Sequence, residues 1–178
     1  MRGFNRKKIP MSETAFVDRI DPRDLRDCCG RFATGVTVIT TRSGEGDHGM
    51  TASAFMSVSL DPPLIAISLD RRSRMLGRVL SARRFAVNIL TEAMRAHALH
   101  FAGRQDGTLT DLFLEHRDGL PVLREAAAVI VADVVKQVEA GDHMLLIGHV
   151  RHLDRDPDAV PLLYHAGQFG SLAAHPAG

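Results

Sequence analysis

Two hydrophobic periods alternate along this chain, and each change of period marks an element. From Asp21, the segment DPRDLRDCCGRF sets Leu25, Cys28, Cys29 and Phe32 at three- and four-residue spacing, the period of one helix face. Asp21 is placed to N-cap that helix, Pro22 suits its first position, and the Thr34-Gly35 pair ends it. Val36 to Thr41 is β-branched at every position and predicts a strand. The glycine-rich turn SGEGDHG then leads into a second strand, Gly49 to Leu60, so that the two form a hairpin. Asp61-Pro62-Pro63 forces an extended break, after which Leu64 to Asp70 forms a third strand.

The helical period returns in SRMLGRVLSARR, where Met75, Leu76, Val79 and Leu80 share a face. Phe85 to Thr91 reverts to strand, and a further helix covers Glu92 to Phe101. Gly103 to Leu123 is polar and broken by glycine and proline, which predicts a surface excursion and a natural lid. Ala127 to Val138 and His143 to Leu153 are strands separated by the turn Glu139-Ala140-Gly141-Asp142, and Pro161 to Leu172 supplies a last short strand or an ordered tail. The total is about six strands joined mostly by hairpins, without strand-helix-strand alternation, so the expected fold class is mainly β: a small antiparallel barrel with peripheral helices. No internal repeat or linker divides the chain, and a single domain over 21–178 follows a mobile basic tail over 1–20.

Composition narrows the function. The 178 residues are 45% hydrophobic, enough for one core, and 22 Lys plus Arg against 21 Asp plus Glu leave no basic field to collect nucleic acid. No apolar run approaches the roughly 18 residues of a membrane span. Cys28 and Cys29 are adjacent, a spacing that rarely permits a disulfide, which points to packing residues in a reducing, cytoplasmic setting.

Chemistry concentrates in Gly49 to Pro63. Strand alternation puts Thr51, Ser53, Phe55, Ser57 and Ser59 on one face, and the small Ala52 and Ala54 between them let the backbone approach a flat ligand. A solvent-facing edge strand accounts for the same pattern. Ser68, Asp70, Arg71, Arg72, Ser73 and Arg74 gather cations and hydroxyls at a helix entrance, which suits a phosphate or equally a solvated charge run. His97/His100 and His149/His152 lack the third ligand of a metal site, and no metal is expected. His143 follows Gly141-Asp142 at a hairpin exit, where a side chain can overhang a barrel mouth. G-x-S-x-G, G-x-G-x-x-G and Walker motifs are absent, so binding groups outnumber catalytic ones, as expected when a cofactor carries the reaction.

RFATGVTVITT (Arg31 to Thr41), GMTASAFMSVSLDPPLIAISLD (Gly49 to Asp70), RRFAVNIL (Arg83 to Leu90), AGDHMLLIGHV (Ala140 to Val150) and PLLYHAGQF (Pro161 to Phe169) together resemble the flavin reductase-like family of FMN-binding split barrels. The likeness runs in order from about Leu25 to Leu172. It implies a homodimer that binds FMN or FAD, oxidises NADH or NADPH by hydride transfer to the flavin, and supplies reduced flavin to a partner monooxygenase. By position, it implies that Thr51, Ala52, Ser53, Ala54 and Phe55 line the isoalloxazine, with Ser57 and Ser59 continuing toward the ribityl phosphate. Thr34, Gly35, Asn88, Ile89 and Leu90 are further implied flavin contacts, and Ser68, Arg72 and Ser73 the phosphate candidates. His143 corresponds to the residue near the nicotinamide, with Tyr164 and Phe169 as an aromatic pair close by. Phe169 stands where many relatives have Tyr, and no Trp occurs between Gly103 and Gly119. Reduction of a corrinoid or iron substrate through flavin, or flavin or haem binding without turnover, is open to the same barrel.

Overall fold

The computed structural model describes residues 20–104, 107, 109 and 115–172. The basic tail expected over 1–20, apart from its last residue, and much of the expected lid lie outside the described residues. Among those residues, no helix is long and apolar enough to cross a membrane.

The helix α1 (Pro22–Cys29) forms as expected, with the Asp21 carboxylate accepting from the Arg23 N–H at 2.7 Å. Its apolar face, however, is not buried among the described residues: no α1 residue is buried, Cys28 and Cys29 are exposed free thiols, and Phe32 is 78% exposed.

Seven antiparallel strands make the main sheet: β2 (Thr37–Ser43), β3 (Gly46–Ala52), β4 (Phe55–Leu60), β5 (Pro63–Asp70), β6 (Arg84–Ile89), β9 (Ala128–Ala140) and β10 (His143–Arg155), in the order β3-β2-β6-β9-β10-β5-β4. The expected continuous strand from Gly49 to Leu60 is therefore corrected. It breaks at Ser53-Ala54, and its halves occupy opposite edges, β3 against β2 and β4 against β5. Strands lie about 4.8 Å apart, so seven of them laid flat would hold the edges nearly 30 Å from each other. Three Cα steps from Ala52 to Phe55 reach only about 11 Å. The sheet must curl until its edges approach at this link, where the Ser68 N–H donating to the Ala54 carbonyl at 3.1 Å continues the β4–β5 ladder.

Curling buries both faces of the central strands. On β2 the residues Thr37 to Thr41 are all buried, Ile39 packing inside with Ile67, Phe85 and Leu146, and Val38 packing outside with Leu90, Met94 and Leu123. A methyl group on Gly148 of β10 would lie 2.7 Å from the Phe85 ring, so the barrel interior closes there only around glycine. The helix α2 (Arg74–Ala82) buries Met75, Leu76 and Val79 as the spacing predicts, N-capped by Ser73, whose oxygen accepts from the Leu76 N–H at 3.2 Å.

Three further corrections concern the periphery. The helix expected from Glu92 opens as a 3-10 turn, Glu92–Met94, before α3 (Arg95–Phe101). The polar segment before Leu123 ends not as a surface loop but as a hairpin, β7 (Glu115–Arg117) and β8 (Leu120–Val122), whose Leu120, Val122 and Leu123 are buried. Its turn residues Asp118 and Gly119 both have positive φ, the conformation of a tight hairpin turn. The C-terminal segment forms another hairpin, β11 (Leu163–His165) with β12 (Gln168–Gly170), and β1 (Thr34–Gly35) pairs with β11.

Candidate functional site

A cavity of about 310 Å³ opens where the end of β3, the helix α3 and the β11–β12 hairpin converge. Thr51, Ala52 and Ser53 form one wall, Ala98, Leu99 and Ala102 a second, Tyr164, Gly167 and Phe169 a third, with Val36 and Arg104 completing the lining. Two threonine hydroxyls hold this frame, and the first is also a ligand contact that the sequence offers. The Thr51 hydroxyl donates to the Ala98 carbonyl at 2.7 Å, tying strand to helix, and Thr37 donates to the Ala52 carbonyl at 2.6 Å. Gly49 lets the helix come close, because a Cβ there would sit 2.5 Å from the Phe101 ring. Opposite, the Tyr164 and Phe169 rings meet edge to face at 5.3 Å, and the Arg95 guanidinium lies over Phe169 at 5.5 Å from its centroid. Ala166 turns this hairpin with φ at 49°, an uncommon conformation for a side-chain-bearing residue, and its N–H is held by the Gly30 carbonyl at 2.8 Å.

Behind α3, Nδ1 of His97 and of His100 are buried without a hydrogen-bond partner among the described residues. Burial pushes the His97 imidazole down and favours its neutral form. Among the described residues, no three His, Cys, Asp or Glu side chains converge as metal ligands.

A second group lies where β5 ends and β10 begins. His143 stands across from Asp70 in the ladder, with its Nδ1 2.7 Å from the Asp142 carboxylate. The hydrogen bond from His143 holds the Asp142 carboxyl below the usual carboxylate range. Asp70 goes further, to about 2, because Arg72 donates to it from both side chain and backbone. The Arg72 Nε and Nη2 lie 3.2 and 3.0 Å from its two oxygens, and the Arg72 N–H donates at 2.7 Å.

The model of the flavin reductase like domain matches residues 29–173. The NADH-dependent flavin reductase of Rhodococcus sp is 40% identical over 167 residues, spanning 91% of this chain and 94% of that protein. The reductase component of 4-hydroxyphenylacetate 3-monooxygenase from Thermus thermophilus is 36% identical over 141 residues, or 79% and 89% of the two chains. Among solved structures, the Streptomyces globisporus NADH:FAD oxidoreductase SgcE6, in complex with NAD and FAD fragments, superposes with a TM-score of 0.79 at 33% identity, covering 86% of this chain and 96% of that one.

The chain belongs to the flavin reductase-like family.

For a flavin reductase-like protein, the cavity is chemically suitable: small residues (Ala52, Ala98, Ala102, Gly167) leave room for a flat ring, aromatic side chains wall it, and Ser53 and Arg104 bring polar groups to its lining. Of the residues singled out from sequence, Thr51, Ala52, Ser53, Tyr164 and Phe169 come together in the lining. Thr34 and Gly35 pair with the β11 strand that carries Tyr164. Ala54 belongs to the link between β3 and β4, and Phe55 packs against the barrel core. Ser57 and Ser59 continue along the β4 edge, where a register shift between them breaks the expected common face. Arg72 and His143 belong to the second group, Ser73 caps α2 beside it and Ser68 lies two residues before Asp70 on β5, and none of the four lines the cavity.

Asn88 and Leu90 are fully buried, and Ile89 packs partly against the core. The Asn88 amide donates to the Val38 carbonyl at 2.9 Å and the Thr40 hydroxyl at 3.1 Å, and its oxygen accepts from the Leu123 N–H at 2.8 Å. Sequence reasoning missed Val36, Ala98, Leu99, Ala102, Arg104 and Gly167. The one available signal was the pair of small residues four apart, Ala98 and Ala102, on a single helix face.

Proposed function

We propose that the protein is an NADH:flavin oxidoreductase that holds FMN or FAD in the cavity between β3, α3 and the β11–β12 hairpin and passes reduced flavin to a separate monooxygenase. The observation that carries this reading is the small-residue cavity walled by Tyr164 and Phe169, on a chain whose relatives are named flavin reductases. Bound flavin supplies the two-electron chemistry, so the chain's own residues bind, orient and exclude water. Ser53 and Ala54 lie outside both β3 and β4, and we assign their N–H groups to the polar edge of the ring. Tyr164 and Phe169 cover the opposite side. No side chain is required to move a proton.

The direct test is NADH loss by the purified protein with and without added FMN or FAD. Flavin-dependent loss is expected; flavin binding without NADH loss would reassign the barrel to storage or sensing.

His143 is assigned to orienting the nicotinamide, with Asp142 fixing its ring. His143→Ala is expected to lower kcat/KM for NADH about tenfold and to leave the flavin Kd unchanged. Unaltered turnover would remove His143 from the site.

We also assign a homodimer. The edge strand β4 exposes Met56, Val58 and Leu60, the last at 90%, and exposed apolar edge strands are covered in stable proteins. Light scattering is expected to give twice the 19.4 kDa chain mass, and Leu60→Glu to shift it toward one chain. A reducing, cytoplasmic setting suits the free thiols of Cys28 and Cys29.

A further inference from the structure

We infer that Arg104 is the anion reader of this cavity: its guanidinium receives a phosphate group of the bound nucleotide, either the flavin phosphate or the pyrophosphate of the nicotinamide dinucleotide. The inference rests on the flavin reductase reading and adds to it the residue that recognises the charged part of the substrate.

Three observations carry it. First, Arg104 is the sole charged side chain among the described residues lining the cavity; the remaining walls are small, aromatic or hydroxyl-bearing. Every ligand proposed for this site carries at least one phosphate, and a phosphate leaving water for a neutral wall would lack a counter-charge.

Second, two of the three arginines that the sequence offers for this task, Arg71 and Arg72, are paired with carboxylates. Arg72 makes a fork to both oxygens of Asp70. Arg71 faces Glu139 at 3.4 Å. A guanidinium already bound bidentately to a carboxylate must give up that partner before taking a phosphate.

Third, the backbone of Arg104 is held in place. Gly103 ends α3 with φ at 86°; its N–H donates to the His100 carbonyl, and the Arg104 N–H donates to the Leu99 carbonyl, both at 3.0 Å. This paired closure is the glycine-dependent helix terminator, and it fixes where the next residue starts. Arg104 therefore leaves the helix at the cavity rim at a set point, one residue past a glycine that no other side chain replaces without strain.

The experiment compares Arg104→Met with the wild-type protein under steady state, with FMN, FAD and the phosphate-free riboflavin as acceptors and NADH as donor. Expected is a KM increase of about tenfold or more for the phosphate-bearing partner, with kcat at saturation within about twofold. A rise for FMN and FAD but not riboflavin assigns the flavin phosphate. A rise for NADH with every acceptor, riboflavin included, assigns the dinucleotide. The wild-type KM should also climb with ionic strength, and the variant's should flatten. Arg104→Lys, which keeps the charge and loses the fork, is expected to fall between the two.

Values of KM within about twofold for all four compounds would overturn the assignment while leaving the reductase intact. Should Arg104→Met not fold, Arg104→Lys and Arg104→Gln carry the same comparison. Wild-type protein that oxidises no NADH with any acceptor would instead remove the functional reading, and the inference with it.

Discussion

Asn88→Leu is expected to lower the unfolding free energy by about 3 kcal/mol, measured by denaturant titration, because it strips a buried polar hub of all its partners at once. The side chain is fully buried and joins three elements: it donates to Val38 and Thr40 on β2 and accepts from the Leu123 N–H just after β8. Leucine is of similar size, so cavity formation contributes little. The cost arises from the Leu123 N–H and the Val38 carbonyl. The first loses its acceptor in a dry interior, and the second loses one of its donors. The flavin KM of whatever protein remains folded should be unchanged. A loss below about 1 kcal/mol together with a raised flavin KM would return Asn88 to the ligand-contacting role implied by resemblance.

Ala102→Trp is expected to reduce flavin-dependent NADH oxidation at least about 100-fold by occupying the cavity with an indole. Ala102 is exposed and caps the C-terminal end of α3, so enlarging it fills the cavity without overpacking the core. The chain has no Trp, and the substitution therefore adds a single fluorophore that reports both folding and ligand exclusion. Fluorescence of a buried indole with lost flavin binding is the expected pair of results. Wild-type kcat and KM in a folded variant would place the flavin outside this cavity.

The two substitutions divide the site residues along a line that resemblance alone does not draw. Asn88 and Thr51 both bear polar groups in strands that match the family, yet Asn88 faces the interior between β2 and β8, whereas Thr51 lies at the cavity wall. Strand alternation separates the two faces of one strand. It does not tell which face meets water once a sheet closes on itself. The serines of β4 illustrate the same limit from the opposite side: an alternating pattern suggested one continuous hydroxyl face, but the break at Ser53-Ala54 and the register shift between Ser57 and Ser59 divide it. Arg72 was legible as a cation beside a helix entrance. Its commitment to Asp70 was not, since a carboxylate two residues away competes for the fork only when the local backbone brings it round.

By itself, the order of residues determined whatever depends on near neighbours. Asp21 and Ser73 cap their helices, the β-branched run at Thr37 to Thr41 extends, Gly141 and Asp142 turn the long hairpin, and the apolar spacing of Met75, Leu76 and Val79 selects the buried face of α2. Motifs in register along nearly the whole chain also carried the family. Tertiary structure decided what depends on distant partners: that β3 and β4 lie on opposite edges, that Ser53-Ala54 must therefore bridge them, that α3 and Arg104 border the cavity, and that Asn88 serves the core. The reason is geometric. Capping and periodicity act within a few residues, while the choice of edge partner is settled by closing a seven-stranded sheet over a two-residue link, a constraint distributed over the entire barrel.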